Sequence, residues 1–434
     1  MIYIIILISL GAVCIRQVKY KDAIICPLTL FLVWYTLCLF GAYLHLDRRN
    51  ELSNEIMLYN LVSIIFVIIS WYFTTHIKRR KNNRLDEHIK YYRVIRRDVL
   101  YILSIVVLGY SIIQFFGSSF NLYMSGMSTA EIRAEHLGEN SIMSNPLASF
   151  VDGSVFGALR IALMVIVTLE WFNAPNRDTR LLVINAISIV IRSFTGSDRL
   201  YLFDFIVVLV ICFIFYKKRT SIIKRKTIEL KKRPVNKIGL ILVGILAVST
   251  IIFMTNERQG DIGLLYSIYG NFTCGFQIFD TVLEKMQIAD TYTFGITTFS
   301  GFIVLINIVL AVLNLPQITL VNEINRYDVP FWNIGGRNFA NGYLPYIAHF
   351  YLDAGIIGII IGSIIFGSII GTAYRNVKVK CDAKYDAYFM MSMLLTFRTT
   401  LRWYYTRTDY CIALLYIFLL YKFVSQRVNL NIEK

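Results

Sequence analysis

The sequence predicts an all-α polytopic membrane protein with about 11–12 transmembrane helices. Three observations carry that prediction. Of 434 residues, 56% are hydrophobic, more apolar surface than a soluble domain can bury. The runs 56–75, 99–117, 238–255 and 356–373 are long enough to cross a bilayer as helices. The charge is also confined. The segment 76–98 holds nine Lys/Arg against three Asp/Glu, and 217–237 holds ten against one, so together they account for +15 of a net +16. Basic loops of this kind face the cytoplasm.

Each element follows in order. The chain opens Met-Ile-Tyr-Ile-Ile-Ile without a positive leader region, so 2–15 is expected as a first span rather than a signal peptide. Arg16, Lys19 and Lys21 follow it and place the N-terminus outside. Spans 23–44, 56–75 and 99–117 come next, with the basic loop 76–98 inside. The outer loop 118–149 carries the polar stretch 130–139, where Glu131, Arg133, Glu135 and His136 read as a solvated helix face. Spans 150–171, 181–197, 200–216 and 238–255 lead to a large outer loop, 256–343, and the chain ends in spans 344–373, 385–401 and 409–424.

One apolar segment, 299–315, strains this count. Crossing alone, it would move Arg375, Lys378, Lys380 and Lys384 outside. The charge bias argues against that, so either it is a re-entrant element, the favoured reading, or a further crossing lies within Leu264–Val282. Irregular backbone at membrane depth survives only where protein or a wet cavity surrounds it, so a re-entrant segment would help wall a site. The rest of that loop is rich in turns, with Pro316, Pro330, Pro345, Gly335-Gly336 and Asn341-Gly342. One integral membrane domain over 1–434 is expected.

The cations expected outside are almost all arginine: Arg48, Arg49, Arg133, Arg199, Arg258, Arg326, Arg337, Arg398, Arg402 and Arg407, with Lys285 alone among lysines. Arginine grips phosphate with a planar fork of donors, whereas lysine is a point charge. The pattern suits a phosphate-bearing ligand delivered outside the cytoplasm. Arg160 and Arg192 interrupt apolar runs; Arg160 lies deeper, while Arg192 near a span end reads equally as a snorkelling residue. In the turn Thr195-Gly196-Ser197-Asp198-Arg199, Arg199 opens a helix whose N-terminal dipole favours anions. Arg258, beside Glu257, is expected at the same level. Arg398 and Arg402 are four apart and share a helical face, beside Trp403-Tyr404-Tyr405. His349 and Asp353 are also four apart, and that pair can handle a proton or form a purely structural hydrogen bond.

Other chemistry lacks a signature. Seven cysteines form no CxxC pair and read as apolar packing residues. Five scattered histidines make no HExxH, and no P-loop or GxGxxG occurs, so no metal, cofactor or nucleic-acid partner is expected.

The segment Tyr351-Leu352-Asp353-Ala354-Gly355-Ile356-Ile357-Gly358, opening a glycine-rich span after a turn-rich outer loop, resembles the signature region of Wzy-type O-antigen polymerases, also called oligosaccharide repeat unit polymerases. The Thr195–Arg199 turn and the stretch Thr293-Phe294-Gly295-Ile296-Thr297-Thr298 are similar to segments of the same family, although Asp198 before the arginine departs from its pattern. The resemblance implies an inverting, metal-independent, GT-C-type glycosyltransferase of the bacterial inner membrane. It would join undecaprenyl-diphosphate-linked oligosaccharides on the periplasmic face, without a nucleotide sugar and with a chain-length regulator as partner. Arg199, Arg258, Arg337, Arg398, Arg402 and Arg160 are the expected diphosphate ligands. Asp353 with His349, or else Glu257, is the expected base. A lipid-linked oligosaccharide flippase, an O-antigen ligase and an acyltransferase using an intramembrane His or Asp are the competing classes. The one dominant outer loop and the lack of internal repeats favour the enzyme over a transporter.

Overall fold

A chain rich in apolar runs must satisfy its backbone hydrogen bonds internally, and helices do so within one segment. The computed structural model describes residues 1–20, 26–46, 48–76, 91–137, 148, 150–173, 178–196, 198–224, 244–245, 248–255, 264–289, 291–336, 338–379 and 382–429, and these are mostly helical. Among them, four helices are long and apolar enough to cross a membrane: Asn54–His76, Arg97–Met124, Val151–Asn173 and Tyr346–Lys378. Shorter apolar helices include Ile2–Arg16, Pro27–Tyr43, Leu200–Phe215 and Ser300–Val312. Large apolar side chains point outward from the long helices; Phe73 and Ile113 are each 72% exposed, as a lipid-facing surface requires.

The chain divides into two compact units. The first comprises Met1–Lys81, Ile268–Val379 and Ser392–Cys411; the second comprises Asn82–Ser267, Lys380–Met391 and Ile412–Lys434.

In the first unit, the helix Pro27–Tyr43 starts with proline, whose fixed φ suits a first turn. It buries Phe31 and Tyr35 in an aromatic core. The Phe31 ring lies 5.2 Å from Phe366 and 5.8 Å from Tyr346, and Trp403 lies 5.5 Å from Phe366. Polar atoms inside this core are paired. Tyr35 donates to Asn60 at 2.6 Å, and Ser63 links the Tyr346 and Ser363 hydroxyls.

The region expected as outer loop contains a 26-residue helix, Leu264–Ala289, which covers the possible crossing at Leu264–Val282. The apolar segment 299–315 forms the helix Ser300–Val312, whose 13 residues span roughly 20 Å at 1.5 Å per residue.

A reversal of the chain occurs further on. The helix Tyr346–Val379 is broken at Ala354 and Gly355, the latter at φ +58°. Only glycine takes that backbone conformation without penalty. The piece 346–353 folds back along 358–366. Tyr346 reaches within 5.5 Å of Phe366, and side chains on Gly358 or Gly362 would run into Phe350. Gly367 and Gly371 then bring the long piece against Asn54–His76 at Ser70 and Thr74.

In the second unit, Val151–Asn173 is enclosed on nearly all sides, as expected for a helix that is apolar all round. It begins with a π-helical stretch, Val151–Gly157, and the helix Arg97–Gln114 runs on into another, Phe115–Ser119. Such widened turns concentrate at functional sites. Asp178 caps Thr179–Thr195 by accepting from the Arg180 and Leu181 amides. The polar stretch in the expected outer loop forms the helix Thr129–Leu137. Ser128 and Glu131 make a reciprocal capping box there, whose bonds hold the Glu131 carboxyl below its usual range. Arg133 and Glu135 are exposed on it. Strands β1 (Tyr91–Ile95) and β4 (Ser425–Asn429) pair antiparallel, with Arg93 opposite Arg427. In the first unit, β2 (Trp332–Asn333) and β3 (Phe339–Ala340) form a second, minimal ribbon.

Candidate functional site

The second unit buries a pair of arginines. Arg160, 2% exposed, stands just past the π-helical stretch and donates from Nη2 to Ser111 Oγ at 3.1 Å. Its Nε and Nη1 are buried without a hydrogen-bond partner. Arg192 pairs with Asp152 at 2.8 Å, and its Nε is likewise unpartnered. The Tyr201 ring lies 5.6 Å from the Arg160 guanidinium carbon and 6.0 Å from that of Arg192. Tyr110 stacks on Phe156 at 3.6 Å in the same region. The two guanidiniums therefore have one directly bonded carboxylate between them in a low-dielectric interior, where arginine stays charged. Arg160 has two buried N–H donors without a partner and no carboxylate bonded to it. It can hold an anion without a metal ion.

The sequence motif beside it contributes differently from expectation. A side chain on Gly196 would press on Arg192 Nη1, so this glycine makes room for the guanidinium. Asp198 accepts from the Leu200 amide at 2.9 Å and thus occupies the helix N-terminus that was expected to receive phosphate. Arg199 donates to Thr255 Oγ1 at 2.7 Å. Arg192 is not a snorkelling residue: its side chain is 15% exposed and ion-paired. Glu257, Arg258 and Arg337 lie outside the described residues.

Arg398 and Arg402 belong to the first unit; the helix Ala383–Arg398 ends at the first of them, and the Arg402 amide donates to the Arg398 carbonyl at 2.9 Å. Arg398 is buried, 5.8 Å from the Tyr404 ring. Arg402 is ion-paired with Asp328 and donates to the Gly342 carbonyl at 3.2 Å. Arg49, one of the arginines expected outside, is buried. It donates to Thr273 and Gln277 and lies 4.9 Å from the Tyr269 ring.

The His349–Asp353 pair does not form. The Asp353 carboxylate accepts from Thr293 Oγ1 and from the Thr297 and Thr298 amides, both at 3.1 Å. It anchors the turn before Ser300–Val312, and charge-assisted bonds of this kind are the strong ones. His349 is 1% exposed with no hydrogen bond at either ring nitrogen. The Arg402 guanidinium and the Leu344 carbonyl are its polar surroundings.

Sequence reasoning missed Asp152, Tyr201 and the partnership of Arg192 with Arg160. One signal was present: a lone acid opening an apolar run. A carboxylate there needs a cation, and the two intramembrane arginines were the candidates. Comparison with protein-family models, with curated proteins and with solved structures finds no match.

Proposed function

We propose that this chain is a membrane glycosyltransferase that polymerises undecaprenyl-diphosphate-linked oligosaccharide units on the periplasmic face. The observation that carries the reading is the buried Arg160–Arg192 pair with Asp152, at the end of its helices that the charge bias places outside. In this reaction the bond from the donor sugar's anomeric carbon to the lipid diphosphate breaks, and a bond to an acceptor sugar hydroxyl forms. Negative charge grows on the departing diphosphate, and preorganised guanidiniums stabilise it where a metal ion otherwise would. The acceptor proton passes to a base. Asp353 is committed to its turn and does not serve as this base. The resemblance to Wzy-type polymerases at Tyr351–Gly358 supports the same reaction.

The test is deletion of the gene followed by electrophoresis of surface polysaccharide. Loss of a polymerase leaves single repeats attached to the core, whereas loss of a flippase or a ligase leaves no attached repeats. An unchanged ladder overturns the reading.

A further inference from the structure

In the first unit, the start of Asn54–His76 and the end of Leu264–Ala289 meet in a polar array that the arginine chemistry does not use. Ser53 ties the two helices through Asp280, its amide donating at 2.9 Å. Glu55 Oε1 accepts from the Tyr59 hydroxyl and from Gln287 Nε2, the latter at 2.7 Å. The Tyr59 ring lies 5.4 Å from Tyr351, tilted by 34°. The Tyr351 hydroxyl sits among Gln287, Tyr59, Tyr292 and Glu55. Glu55 and Gln287 are exposed at the rim, and Tyr292 is 39% exposed.

A strained turn adjoins the array. Phe294 holds φ +50°, unusual for a non-glycine residue, and its ring is 81% exposed. Its amide donates to the Asp353 carbonyl at 3.0 Å, and the Asp353 carboxylate pins the rest of the turn. Tyr292 lies over Gly355, where a Cβ would meet its hydroxyl at 3.4 Å. The chain thus spends strain to keep an aromatic side chain in the open, a pattern that marks functional segments.

The chemistry narrows the ligand. A carboxylate without a neighbouring cation in the array repels phosphate. A cluster of phenols, amide and carboxylate is wasted on acyl chains. A sugar satisfies both conditions, since its hydroxyls donate to carboxylate and amide while its C–H face packs on aromatic rings. We propose that Glu55, Tyr59, Gln287, Tyr292 and Tyr351, with Phe294 at the edge, form a sugar-binding subsite. Resting on the polymerase reading, we assign it to the oligosaccharide portion of the lipid-linked substrate.

The test uses the full chain in lipid nanodiscs. The probes are neutral oligosaccharide released by mild acid from the host's lipid-linked repeats, followed by saturation-transfer NMR, and radiolabelled undecaprenyl diphosphate, followed by retention. Gln287→Ala and Tyr292→Ala are expected to weaken oligosaccharide binding about tenfold and leave diphosphate retention unchanged. Glu55→Gln, which keeps the shape, should show a smaller loss in the same direction, and Arg160→Met the reverse pattern. Oligosaccharide binding unchanged in Gln287→Ala and Tyr292→Ala overturns the subsite. So does wild-type protein that retains the diphosphate but binds no oligosaccharide, an outcome that leaves the polymerase reading standing. Variant-sensitive oligosaccharide binding with an unchanged polysaccharide ladder in the deletion strain instead removes the polymerase reading and keeps the subsite.

Discussion

Two buried charged groups in this protein are treated in opposite ways. In the first unit, Asp353 is well supplied with donors: a threonine hydroxyl and two backbone amides bind it, and the carboxylate fixes a turn. In the second unit, Arg160 reaches one serine and keeps two buried donors unpaired, while its neighbour Arg192 takes the directly bonded carboxylate. A fully satisfied buried charge stabilises one conformation, whereas an under-satisfied one costs stability and is retained where it meets a ligand. Asp353 therefore reads as architecture and Arg160 as chemistry.

The contrast can be broken first at Arg160. Arg160→Met removes a buried cation with two unpaired donors, so the protein should fold at least as stably while, on the proposed polymerase reading, polymer length collapses. Loss of thermal stability with normal polymer would reverse the assignment. Arg160→Lys keeps the charge but not the fork, and should still shorten the chains strongly on the gel.

The next largest effect is expected at Asp152. Asp152→Asn leaves Arg192 buried without its ion pair, at a cost of about 3–5 kcal/mol, visible as a lowered unfolding temperature. Asp353→Asn places an N–H₂ group against backbone donors, and should cost about 1–3 kcal/mol, with hydrogen exchange rising first in 293–298. If exchange there is unchanged, Asp353 is not the anchor of that turn. Smallest of the set, Gly355→Ala forces a Cβ into the left-handed region and should cost about 1–2 kcal/mol by the same unfolding measurement.

Much of the helical frame was legible in the sequence. The expected spans 56–75, 150–171 and 181–197 correspond to Asn54–His76, Val151–Asn173 and Thr179–Thr195, within about two residues at each end. The region 256–343 was less legible. Leu264–Ala289 is a long helix whose apolar residues are diluted by Asn271, Gln277, Asp280 and Glu284, so the sequence offered it only as the alternative crossing within Leu264–Val282. The strands β1 and β4 were invisible because their pairing joins residues more than 300 positions apart.

At the candidate site the same division holds. Arg160 announced itself as a charge in an apolar run, and Gly355 as one of a series of glycines. The spacing of His349 and Asp353 suggested a pair, yet Asp353 turned to three donors supplied by the segment 293–298. Spacing along a helix limits which side chains share a face, but not which partner outside the helix will claim them.

By itself, then, the sequence determined that this chain forms apolar helices, where its basic loops lie, and which arginines interrupt its spans. These follow from local composition, because burying backbone in an apolar medium enforces helices and leaves isolated charges conspicuous. Only the tertiary structure decided that Arg160 and Arg192 flank one tyrosine beside Asp152, that Asp353 is spent on a turn, and that the helix at 346 doubles back at Gly355. Each depends on which distant groups satisfy a buried charge or a strained backbone, and that is settled by packing rather than by sequence neighbours.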